Sequence, residues 1–313
     1  MQTTKDRSML HTRRSLIEGA LAFLALGGVA RAAGKTAAAG KELSFLVVGD
    51  WGDGQSPTTA AAVAKAMGTI GAENAVSFVI STGDNFYESG VESTSDKKWQ
   101  TNFEDVYDAP SLQVPWYAVL GNHDYGGSTS AQIDYSKKSR RWTMPDRYFA
   151  VSKEFGGASA DFFFLDTQRM KGDTLLEIVS HLDAEVQLRW LDRALGESRA
   201  PWKIVVGHHP VFSGGRHGDS GLLGKRLKPI LDRHGVAMYL CGHDHHLEAL
   251  RSEKVAYFVS GAGSRSRQPH AHPKSLFASA TPGFLLVRLT PAGGTASFYS
   301  QDAALLYSQP LTL

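Results

Sequence analysis

Five short apolar runs in this 313-residue chain each end in a glycine followed by a side chain that can bind a metal or move a proton. Leu43–Val48 runs into Gly49-Asp50-Trp51-Gly52, and the run 76–81 into Gly83-Asp84-Asn85-Phe86-Tyr87. The run 116–120 leads to Gly121-Asn122-His123-Asp124, and 203–206 to Gly207-His208-His209-Pro210. The run 236–241 leads to Gly242-His243-Asp244-His245-His246. Singly these are weak signals, since Gly-Asp after a strand is an ordinary Asx turn and Gly-Asn-His fits a turn with a packed histidine. Gly-His-Asp-His carries more, because two histidines one residue apart in an extended segment project to the same side, as paired metal ligands do. Together the five endings bring carboxylates, an amide and imidazoles to one rim. Hard oxygens combined with imidazoles suit iron, zinc or manganese, and a single cysteine, Cys241, provides no thiol set for a soft metal.

Such a rim needs parallel strands whose carboxyl ends face one way. Apolar runs at 43–48, 76–81, 116–120, 162–165, 203–206, 236–240, 255–259 and 284–287 read as strands, and 60–67, 96–107, 184–195 and 221–233 as helices. In the third helix Val186, Leu188, Leu191 and Leu195, with Trp190, form an apolar stripe. The early strands are almost continuously apolar, which indicates burial on both faces. Their alternation with helices predicts an α/β domain with parallel segments and right-handed crossovers. In open α/β sheets ligands bind outside the carboxyl ends of the strands, where the five motifs fall. No repeat and no Pro/Gly/Ser linker divides residues 33–313, so they read as one catalytic domain.

Composition narrows the function classes. With 42% apolar and 20% charged residues, disordered and fibrous classes are excluded. A formal charge of +2 gives no polyanion-binding signature, so nucleic acid is not an expected partner. One cysteine rules out a disulfide-stapled module. Residues 1–32 read as an export signal: the pair Arg13-Arg14, an apolar stretch from Leu16 to Ala30, then the small-x-small site Ala30-Arg31-Ala32. The stretch is short for a membrane span and contains Glu18, so stable membrane insertion after cleavage is not expected. The paired arginines resemble the twin-arginine signal, which exports folded proteins and predicts a periplasmic or secreted enzyme. Cleavage removes five basic and two acidic residues, turning the formal charge from +2 to −1.

The order Gly-Asp-x-Gly, Gly-Asp-x-x-Tyr, Gly-Asn-His-Asp, Val-x-x-His, Gly-His-x-His resembles the metallophosphoesterase superfamily. Tyr87 narrows the resemblance to the purple acid phosphatases, and the compact length to their small, tartrate-resistant type. It extends from about Leu43 to the C-terminus, including Ser260-Gly261-Ala262-Gly263. The fold it implies is a four-layer α/β/β/α sandwich with the metal site at the carboxyl ends of the strands. The resemblance assigns Asp50, Asp84, Tyr87 and His245 to an Fe(III), and Asn122, His208 and His243, with Asp84 bridging, to a second divalent ion (Fe, Zn or Mn). A carboxylate suits a bridge because it has two oxygens to share. A tyrosinate calls for a strong Lewis acid, since the free phenol has a pKa near ~10. His123 and His217 match the substrate-binding histidines, one of which, as imidazolium, would protonate the leaving oxygen.

The implied reaction is hydrolysis of phosphate monoesters by a metal-bound hydroxide, acting on small phosphorylated substrates, in a protein expected to be a monomer. A metallophosphodiesterase or nucleotide hydrolase is the alternative within the superfamily; Tyr87 favours the monoesterase. A non-catalytic metal- or phosphate-binding protein is a third reading, opposed by the full ligand set. Two positions depart from the family pattern: His209 stands where an aromatic residue is common, and Arg216 where mammalian relatives carry an acid. Asp53 reads as a turn residue, Asp244 and His246 as supporting groups behind the ligands. The stretch 264–272 reads as a solvated loop, or else a basic lip for phosphorylated substrates.

Overall fold

Leu43–Val48 is buried along its whole length, as a strand must be when its sheet is covered on both faces. In the computed structural model, which describes residues 41–170 and 177–313, it lies at the centre of the first of two seven-stranded sheets. The expected export signal at 1–32 lies outside the described residues. In spatial order the first sheet runs Leu305–Leu311, Gly293–Ser300, Gly283–Thr290, Leu43–Val48, Phe78–Ser81, Trp116–Ala118 and Trp142–Thr143. The last four are mutually parallel, and Gly283–Thr290 joins antiparallel with Val287 opposite Phe45. The second sheet runs Ser275–Ser279, Leu247–Ser252, Val255–Ser260, Met238–Cys241, Trp202–Val206, Ala158–Phe164 and Phe149–Phe155. Its parallel centre carries two of the motif strands, and antiparallel strands close both edges.

Period-two alternation builds the layers. Phe162, Phe164, Trp202, Ile204 and Val206 face the first sheet in one core with Phe45, Phe78 and Phe298. Phe163, Leu165, Val205, Tyr239 and Tyr257 face outward into a second core with Leu188, Leu191, Leu227 and Leu231. On the far side of the first sheet, helix Pro57–Glu73 contributes Val63, Met67 and Ile70. Helix, sheet, sheet and helices therefore form four layers, the architecture that the family resemblance implies. Phe45 stacks on Phe78 at 4.9 Å and meets Phe162 edge-on at 5.3 Å, joining the sheets. Burying each such ring contributes about 1.5–3 kcal/mol.

Several elements differ from the sequence-based expectation. The segment 96–107 forms a wide π turn at Trp99–Glu104, with Trp99 and Phe103 buried. The segment 221–233 breaks into Gly221–Arg226 and Lys228–Arg233, because Pro229 lacks the N–H a continuous helix needs. Val186 is 49% exposed and leaves the expected stripe; Ala184 is buried with Leu188, Leu191 and Leu195 instead. The strands Phe149–Phe155, Ser275–Ser279 and Leu305–Leu311 were not expected, since as partly exposed edge strands they mix polar with apolar residues.

Candidate metal centre

The five glycine motifs converge because each strand ends beside another's functional side chain. A Cβ on Gly121 would lie 2.1 Å from Asp84 Oδ1, and one on Gly242 would lie 2.3 Å from Asp50 Oδ2. Only glycine allows these approaches. Asp50, Asp84 and His243 take positive φ of 58°, 49° and 70°, a left-handed conformation that costs non-glycine residues energy and recurs at functional sites. It turns each side chain off its strand end.

Asp50 and Asp84 are arranged alike. One oxygen of each accepts a backbone N–H from a neighbouring motif: Asp50 Oδ2 from His243 at 3.0 Å, Asp84 Oδ1 from His123 at 2.8 Å. The other oxygens, Asp50 Oδ1 and Asp84 Oδ2, lie 3.1 and 3.0 Å from the Tyr87 hydroxyl. His245 Nε2 lies 3.2 Å from the same hydroxyl and 3.4 Å from Asp50 Oδ1. A second set surrounds His208 Nε2, with Asn122 Oδ1 and His243 Nδ1 at 3.2 Å each and Asp84 Oδ2 at 3.4 Å. His208 Nδ1 donates to the Thr82 carbonyl at 2.9 Å, which leaves Nε2 to carry the lone pair. All seven residues singled out in the sequence are thus brought together, and Asp84 Oδ2 belongs to both sets. Oδ2 is the Asp84 oxygen that faces both sets, while Oδ1 accepts from the His123 N–H.

These residues fit a metal. Donor atoms held about 2.0–2.2 Å from one ion stand about 3–3.5 Å apart, the spacing found in both sets. Without a cation the buried charges act only on one another. Burial and the two carboxylates push the Tyr87 phenol well above its ordinary value. Burial favours neutral Asp84, yet the charge and hydrogen bond of His208 outweigh it and hold the carboxyl well below the usual range. Burial likewise opposes charge on His208, but Asp84 carries that imidazole up to about 9. A metal bound at His208 Nε2 must displace this proton.

The two substrate-histidine candidates sit at different edges. His123 packs on Tyr87, with ring centroids 4.4 Å apart, and its Nδ1 lies 2.6 Å from the Glu88 carbonyl. His217 is exposed and lies 4.2 Å, ring to ring, from His243. With His209, Asp219 and Leu222 it lines a cavity of about 210 Å³.

The stretch 264–272 is an irregular loop with Arg267, Gln268, His270 and Ala271 exposed to solvent, and it is tied to the site at several points. Ser264 Oγ donates to Asp50 O, Arg267 N to His245 O at 2.6 Å, and His270 N to Gly214 O at 2.7 Å. Arg265 pairs with Asp53 and with Glu88, its guanidinium 5.8 Å from the Tyr87 ring centre. Asp53 also accepts from Gln55 N at 2.8 Å, the Asx turn expected of it.

Two supports escaped the sequence reading. Asp124 is fully buried and accepts from Asn85 N and Nδ2, Phe86 N, Gly121 N and Gln132 Nε2, pinning the second motif to the third. Burial and the nearby Asp84 charge push its carboxyl up to about 6, against these five donors. Thr167 Oγ1 accepts from the backbone N–H groups of His208 and His209. Asp124 and Asn85 lie inside the motifs and were open to detection; Gln132 and Thr167 carry no local signal.

Acidic, amide and imidazole donors at the carboxyl ends of parallel strands from two facing sheets define a metal-dependent phosphoesterase, and residues 43–247 match the calcineurin-like phosphoesterase family. Tartrate-resistant acid phosphatase type 5 of Oryctolagus cuniculus is 37% identical over 294 residues, covering 86% of this chain and 90% of that protein. Purple acid phosphatase 3 of Arabidopsis thaliana is 39% identical over 285 residues, covering 85% and 76%. Among solved structures, GAP50, the anchor in the inner membrane complex of Plasmodium, matches with a TM-score of 0.77 and 27% identity, over 87% of this chain and 89% of that one. The chain belongs to the calcineurin-like phosphoesterases, in the branch of the tartrate-resistant and purple acid phosphatases, and is a phosphoric monoester hydrolase.

Proposed function

We propose that this phosphatase works with two ions, an Fe(III) held by Asp50, Asp84, Tyr87 and His245 and a divalent ion held by Asp84, Asn122, His208 and His243. The observation that carries this reading is the shared position of Asp84 Oδ2, 3.0 Å from the Tyr87 hydroxyl and 3.4 Å from His208 Nε2. When bound, such a pair supplies positive charge for the phosphate and a water acidic enough to attack at low pH. In the hydrolysis a water oxygen would form the new P–O bond as the ester P–O bond breaks, the water giving up a proton and the leaving oxygen taking one. His217 gives that proton, because it lines the cavity beside His243 that has room for the alcohol portion of the substrate. His123, oriented by the Glu88 carbonyl, holds the phosphate.

The test is colour and metal content. A phenolate bound to Fe(III) donates electron density into the half-filled d shell and absorbs in the visible, whereas a packed phenol does not. The purified protein is expected to be purple to pink, with about two metal ions per chain. Tyr87→Phe should lose the colour and hold iron less firmly, while activity falls less than colour. A colourless, fully active protein without iron refutes the ferric assignment.

Export through the twin-arginine route is proposed from Arg13-Arg14 and the apolar stretch behind them. Replacing both arginines with lysine should trap an active precursor in the cytoplasm, as read by fractionation and phosphatase assay. Normal export of that variant excludes the route.

A further inference from the structure

The segment 243–248 sends its side chains alternately to two places. His243 and His245 join the metal-binding groups, while Asp244, His246 and Glu248, all within 1% of full burial, are positioned by other contacts. The carboxylate of Asp244 bonds to the loop carrying His217. Asp244 Oδ2 accepts from Ser213 Oγ at 2.6 Å, and Oδ1 from the backbone N–H of His217 at 3.0 Å. Ser213 Oγ in turn accepts from Gly215 N at 2.9 Å. Glu248 Oε2 accepts from Gly214 N at 2.8 Å and pairs with His246 Nε2 at 2.8 Å. The fit leaves no slack, since a Cβ on Gly215 would lie 2.3 Å from Asp244 Cγ.

We propose that Asp244 is a positioning residue for leaving-group protonation, fixing the His217 loop to the same segment that carries His243 and His245. This rests on the reading of His217 as the proton donor. Both carboxylate oxygens are used as acceptors, so an amide at this position must turn its NH₂ toward one of the two donors. Turned toward the His217 N–H, it sets two donors against each other; turned toward Ser213 Oγ, it meets a group that already accepts from Gly215 N and must then turn its hydrogen away. His217 then loses its fixed place beside His243, and the two histidines of the metal centre keep theirs. The cost should follow the leaving group. An alkoxide needs a proton to depart, whereas p-nitrophenolate leaves without one.

The experiment compares the holoenzyme with Asp244→Asn, His217→Ala and the double variant on glycerol phosphate and p-nitrophenyl phosphate, with metal content measured for each. Asp244→Asn is expected to lower the ratio of alkyl to aryl turnover about tenfold, part of the effect of a positioned acid, at unchanged metal content. His217→Ala should lower the ratio at least as far, and the double variant should match His217→Ala, since Asp244 acts through that residue. Ser213→Ala, a milder change in the same network, should shift the ratio in the same direction if Asp244→Asn fails to fold. Equal loss on both esters, loss of metal, or multiplied effects in the double variant would overturn the proposal. If His217→Ala leaves the ratio unchanged, the donor role and the proposal fall together, while colour and metal content still report separately on the two-ion reading.

Discussion

Asp84→Asn is expected to weaken both metal sites at once and to lower phosphatase turnover by at least about 10²-fold, the scale seen when one charge-stabilising group is removed. Asp84 Oδ2 is the atom common to the two donor sets, 3.0 Å from Tyr87 Oη and 3.4 Å from His208 Nε2. An amide there loses the negative charge that offsets two cations. The damage extends to the other oxygen position, which must still accept the backbone N–H of His123 at 2.8 Å. If the carbonyl keeps that bond, the NH₂ group points at the ions; if it turns, His123 loses its anchor. Asn122→Ala is the contrast, because Asn122 Oδ1, 3.2 Å from His208 Nε2, belongs to the second donor set, and its loss should empty one site. Elemental analysis and chelator titration of the two variants decide the matter. Two tightly held ions and near-normal turnover in Asp84→Asn would refute the bridge.

His123→Ala separates phosphate binding from metal binding. The imidazole packs on the Tyr87 ring and is oriented through Nδ1 by the Glu88 carbonyl. Turnover should fall by about 10²–10³-fold, as expected when one group that stabilises developing charge is lost. Metal content and colour should be unchanged. Because the backbone N–H to Asp84 survives the substitution, the effect belongs to the ring alone. Loss of iron or of colour in this variant would make His123 a ligand and redraw the centre.

Much of the site was legible in the chain because its chemistry is written locally. Each side chain proposed to bind metal lies in a glycine motif at the end of an apolar run, and two facing sheets turn five such endings into one rim. The glycines have a physical origin that the sequence does not display: at Gly121 and Gly242 the missing Cβ is the space occupied by the carboxylates of Asp84 and Asp50. Residues held by long-range contacts were not legible. Gln132 reaches Asp124 from a separate helix, and Thr167 reaches His208 from the start of the 3-10 turn Thr167–Met170, which carries no glycine motif. The stretch 264–272 is solvated, as its arginines and histidines suggest, but nothing local foretold that the Ser264 hydroxyl ties it to Asp50 and its backbone to His245 and Gly214.

The sequence by itself therefore determined the family, the α/β class and the set of residues able to bind metal, since side-chain type, spacing and strand periodicity are local properties. Tertiary structure alone decided how those residues are used. Which oxygen of Asp84 faces both donor sets is set by its turn off the strand end, with His123 N–H, 39 positions away, bonded to the other. Whether Asp244 serves the metal centre or the His217 loop depends on which way a six-residue segment, 243–248, alternates against Ser213 and Gly214. Hydrogen-bond direction and side-chain facing are set by packing between distant segments, and no spacing rule along one chain encodes them.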